Sequence, residues 1–108
     1  MGLAASSARL FYLIARKMDI QFESMVINQA RMRITNIMDR YISAFQSLDP
    51  NQDVIRRQEL LFQALSQQDK RFELALNRLK IQLDSITTEM ETVRKFVNDG
   101  VQGFKAMA

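Results

Sequence analysis

Between Leu3 and Leu48 the chain has neither Gly nor Pro, and its apolar residues recur at helical spacing. Leu13, Ile20, Ile27, Ile34, Tyr41 and Leu48 follow one another at intervals of seven. A second ladder with the same interval, Phe11, Met18, Met25 and Met32, falls on a different face of the same helix. A helix that is apolar on two sides needs two sets of neighbours, and one partner helix covers only one of them.

The polar segment Ser47-Leu48-Asp49-Pro50-Asn51-Gln52 interrupts this pattern and predicts a turn at about 48–52. Pro50 suits the first position of a helix, where its missing N–H is not needed. Asp49 before it is the expected N-cap, and Gln52 stands three residues later, where a capping box places Glu or Gln. Asp53 adds negative charge near the positive end of the helix dipole.

The following segment alternates apolar steps of four and three. Phe72, Leu76, Leu79, Leu83, Ile86, Met90, Val93, Val97, Val101 and Phe104 form a seam with a 3.5-residue period. That period implies left-handed supercoiling against another helix. Upstream the seam passes through Leu61 and Leu65 and falters at Gln68-Asp69, a polar interruption that either fixes register or loosens the pairing. Asn98-Asp99-Gly100 and Gly103 could end or bend the helix, but the apolar spacing continues across them, so the helix is expected to reach about Lys105.

The expected fold is therefore all-α: an elongated, antiparallel two-helix coiled-coil hairpin, completed by oligomerisation. Helix 1 spans about 3–48 and helix 2 about 50–105, joined by a short connection that makes them neighbours. The 108 residues are expected to form one domain. The intramolecular seam is assigned to the ten apolar positions of helix 2. A candidate intersubunit face is assigned to Leu10, Phe11, Ile14, Met18, Met25 and Met32 of helix 1.

Composition sharpens this picture. Hydrophobic residues make up 47% of the chain, a generous share for a rod, so a partner is the expected destination of the surplus. With no Cys and no His, thiolate and imidazole chemistry is excluded, and the softer metal ligands with it. The pairs Glu89 with Glu91 and Asp69 with Glu73 offer no convergent catalytic or metal-binding geometry on a helix surface. An enzyme is not expected, and neither is a cofactor.

The net charge of +3 lies wholly in residues 1–48, which hold six basic and three acidic groups. Arg31, Arg33 and Arg40 are not interleaved with aromatic residues, so nucleic acid is not an expected partner. The apolar run Leu10–Ile14, set between Arg9 and Arg16-Lys17, is far too short to span a bilayer and lacks a signal-peptide cleavage site. Membrane-surface contact by this run is weighed against protein contact, and protein contact is favoured. Met1-Gly2 followed by Ser6 satisfies the minimal myristoylation pattern, which a plain helix start explains as well. The small residues Ala4, Ala5, Ser6, Ser7 and Ala8 suit the close approach of another helix.

The chain resembles subunits of bacterial type III export systems, both the needle and filament proteins and the flagellar axial proteins. The likeness rests on the two-helix layout around Leu48-Asp49-Pro50-Asn51. It also rests on the small and apolar N-terminal helix from Ala4 to Ile14, leading to Ile27-Asn28-Gln29-Ala30, and on the apolar C-terminal helix from Val93 to Met107. The opening Met1 to Ser6 is also similar to short uncharacterised bacterial proteins. Beyond Asn28 the Asn-rich signature of flagellar rod and hook proteins is not reproduced.

The resemblance implies a subunit that polymerises with itself, exported or associated with the cell envelope without a cleaved signal, with other secretion or envelope proteins as further partners. The alternative is a soluble, cytoplasmic adaptor or chaperone that dimerises into a four-helix bundle around a partner helix.

Overall fold

A computed structural model describes residues 2–46 and 51–107. Two helices account for nearly all of them: α1, Leu3–Gln46, and α2, Gln52–Met107. The fold is an all-α helical hairpin, as the two periodic segments predict. The expected turn residues Asp49 and Pro50, and Leu48 at the end of the first ladder, lie outside the described residues.

The start of α2 differs from expectation in its cap. The side-chain oxygen of Asn51 accepts from the Val54 backbone N–H at 2.8 Å, and its carbonyl accepts from Ile55 at 3.0 Å. Asn51 is therefore the N-cap, and Gln52 is the first helical residue rather than the third residue of a capping box. Asn, like Asp, can supply the capping oxygen, and its position immediately before the first helical turn decides between them. Asp53 does lie in that first turn.

At its other end α2 runs through Gly100 and Gly103 to Met107 without a left-handed residue.

The chain divides into two compact units, Met1–Glu23 with Arg78–Ala108, and Ser24–Asn77. In the first unit α1 and α2 are antiparallel. Leu3 of α1 lies against Gly100 of α2, Arg9 meets Glu89, and Leu13 packs with Met90 and Val93. Leu13 and Ile20 are almost wholly covered, at 1% and 0% exposure, and Leu79, Met90 and Val93 are buried. Burying a side chain of this size stabilises by about 1.5–3 kcal/mol.

Spacing explains who is inside. In this unit Ser6, Leu10, Leu13, Lys17 and Ile20 are all buried or half-buried, and they advance by four and three. The sequence ladder through Leu13 and Ile20 is thus one half of a coiled-coil seam, with Leu10 and Lys17 in the other half. On α2 the facing row is Leu79, Leu83, Ile86, Met90, Val93 and Val97, each buried or half-buried.

The row then continues to Gly100, which is half-buried, while Val101 is exposed. A Cβ on Gly100 would sit 3.1 Å from Leu3 Cδ1, so the glycine is where the start of α1 comes closest to α2. Farther along α2, Phe104 is 74% exposed. Val101 and Phe104, expected in the seam, lie outside it: Gly100 takes the seam step against Leu3, and both later residues are exposed.

In the second unit Ile34 is buried, and Ile27, Arg31, Met38 and Phe45 of α1 are half-buried with it. From α2 the half-buried row is Leu61, Leu65, Asp69, Phe72 and Leu76. The α1 row advances by four and three from Ile27 to Met38 and then by seven to Phe45, and the α2 row by fours and one three, with one charged residue in each.

Candidate functional site

The first feature is the outer face of α1. Phe11, Met18, Met25 and Met32 are exposed at 71%, 64%, 50% and 66%. They are not alone on that face. In the first unit Ala4, Ala8, Phe11, Ala15, Met18 and Phe22 are all exposed, and they advance by four and three. In the second unit Met25, Gln29, Met32 and Asn36 are exposed with the same steps. The i+7 ladder seen in the sequence is one half of this row. Ala8, Ala15 and Phe22 supply a second half that the sequence reading missed, although the steps of four and three were visible in it.

Two residues assigned to that face belong elsewhere. Leu10 and Ile14 are half-buried against Leu13, Met90 and Val93. They stand three residues before and one after Leu13, which places them on the flanks of the buried seam. Ser6 likewise points inward at 1% exposure, while Ala4, Ala5 and Ala8 stay exposed. The small-residue start thus serves the chain's own α2 through Ser6 and leaves its alanines outward.

The second feature is charge placed across the helix pair. In the first unit the Arg9 guanidinium donates to Glu89 Oε1 at 2.7 Å and lies 5.0 Å from the Tyr12 ring centre. In the second unit Arg31 holds Asp69 as a fork: Nε donates to Oδ1 at 2.8 Å and Nη2 to Oδ2 at 3.2 Å. This hydrogen-bonded contact lowers the Asp69 pKa below its ordinary value, despite some opposing loss of solvation. It raises that of Arg31 in turn, with Glu73 adding to the attraction.

Chemically these groups are committed. Both Asp69 oxygens accept from Arg31, and Glu89 accepts from Arg9, so each carboxylate already has a partner. The hydroxyls of Thr35, Thr88 and Thr92 donate to carbonyls one turn back on their own helices, at 3.0–3.2 Å. Beside the Arg31–Asp69 pair an open groove of about 530 Å³ is lined by Asn28, Met32, Thr35 and Asn36. Among the described residues no three Asp or Glu converge as metal ligands, and no helix is long and apolar enough to cross a membrane.

Comparison with protein-family models, with curated proteins and with solved structures gives no match.

Proposed function

We propose that this chain is a structural, non-catalytic subunit that assembles with copies of itself into a helical polymer through the outer face of α1. The observation that carries the reading is the exposed row of Phe11, Ala15, Met18 and Phe22 in the first unit, spaced as a coiled-coil seam yet uncovered by the chain's own α2. Apolar patches of this kind mark interaction surfaces when they are contiguous. Methionine, unbranched and polarizable, suits contacts that must fit neighbours placed in more than one way.

The resemblance to type III needle, filament and axial subunits supports an exported or envelope-associated polymer over a soluble one. The membrane-surface alternative loses support because Leu10, Leu13 and Ile14 pack against α2. Arg9, the basic residue at the head of that run, is held by Glu89.

The test is molecular mass against protein concentration by light scattering, with negative-stain microscopy of the same samples. Open-ended growth and fibres are the expected result. A fixed dimer at every concentration would reject the polymer and point to the four-helix adaptor.

A further inference from the structure

We propose that the Arg31–Asp69 pair is a register lock, setting how α1 and α2 slide along one another in the Ser24–Asn77 unit. The inference stands apart from the assembly reading, since it concerns pairing within one chain.

In this unit most of the remaining seam is apolar and recurs every seven residues, as at Ile27 and Ile34 on α1 and Leu65 and Phe72 on α2, and its other half-buried polar residues, Ser24, Gln58 and Gln68, carry no charge. Such a repeat discriminates poorly between one register and another displaced by a heptad, because most layers find similar uncharged partners after the shift. Arg31 and Asp69 break that degeneracy. Each occupies a seam position on its own helix, and they meet directly across the pair.

Sliding α2 by seven residues in one direction puts Arg31 opposite Leu76 and Asp69 opposite Met38. In the other direction Arg31 faces Phe62 and Asp69 faces Ser24. Every slipped register therefore takes both charges from a two-bond fork and sets Arg31 against a large apolar side chain. Both side chains keep about a third of their surface in water, so the native arrangement is spared most of the desolvation a fully buried pair suffers. The lock thus acts chiefly by penalising the alternatives, and the depressed Asp69 pKa agrees with a charged pair in the native register.

The experiment reads register directly. The chain has no cysteine, so Asn36→Cys and Gln63→Cys, both at exposed positions, carry two spin labels. Samples are diluted with unlabelled protein, so that electron–electron resonance reports distances within one chain. The otherwise native chain should give one narrow distance distribution. In Arg31→Leu/Asp69→Leu, helicity by circular dichroism should persist while a second population appears, displaced by up to roughly 10 Å, one heptad of helix rise. A single unshifted distance in that variant would overturn the lock.

The second arm uses charge. Arg31→Asp alone should broaden the distribution, and Arg31→Asp/Asp69→Arg should restore the single narrow distance. A swapped pair as broad as the single reversal would equally overturn it.

Discussion

Individual side chains in this molecule differ less in type than in what each one faces. Asp69 is held ionised by Arg31, and its pKa lies below that of the same residue in an unfolded chain. Its contribution to stability is therefore complete above the ordinary carboxylate range of about 4 and disappears as pH falls through the lower folded value. Thermal melts between neutral and strongly acidic pH should show a drop that is smaller in Asp69→Asn. An identical acid profile in the two proteins would contradict the pairing. The two interior glycines of α2 make a second contrast. A Cβ at Gly103 meets nothing within 4 Å, so Gly103→Ala should stabilise by about 0.5–1 kcal/mol through helix propensity. At Gly100 the added carbon presses on Leu3, so a large residue such as Leu there should displace the start of α1 and lower the melting temperature.

On the scale of whole helices, α1 has two apolar faces with opposite fates. Leu13→Ala on the covered face should cost roughly 2–5 kcal/mol in chemical denaturation. Phe11→Ala, on the exposed face, should change the stability of the isolated chain by no more than about 0.5 kcal/mol. Asn51→Ala removes the cap of α2 and should cost about 1 kcal/mol.

These helices were legible because heptad spacing survives intact in the sequence, from Phe72 through Val97 and from Leu13 through Ile34. What was not legible depended on position along the partner helix. Val97 to Val101 and Val97 to Gly100 are both acceptable seam steps, and only Leu3 lying on Gly100 decides between them. Leu10 and Ile14 look outward or inward according to a rotation of α1 that apolar residues on both sides leave undetermined. Arg31 escaped notice as a seam residue because a charge at such a position reads as solvated face until its partner is known.

For the whole molecule, the inner seams of both compact units are satisfied within the chain, while a second seam of the same period stands uncovered on α1. An apolar row kept in coiled-coil spacing and exposed to water is unfavourable for a lone subunit and favourable for one that meets another helix. On the proposed function this row serves contacts between chains and not the fold of one chain. The most direct measurement pairs circular dichroism with sedimentation velocity on Met18→Lys/Met25→Lys beside the unaltered protein, across a range of concentrations. The unaltered chain should grow in mass with concentration, whereas the variant should stay small and keep its full helical signal. A variant that loses its helicity, or one that assembles as readily as the parent, would contradict it.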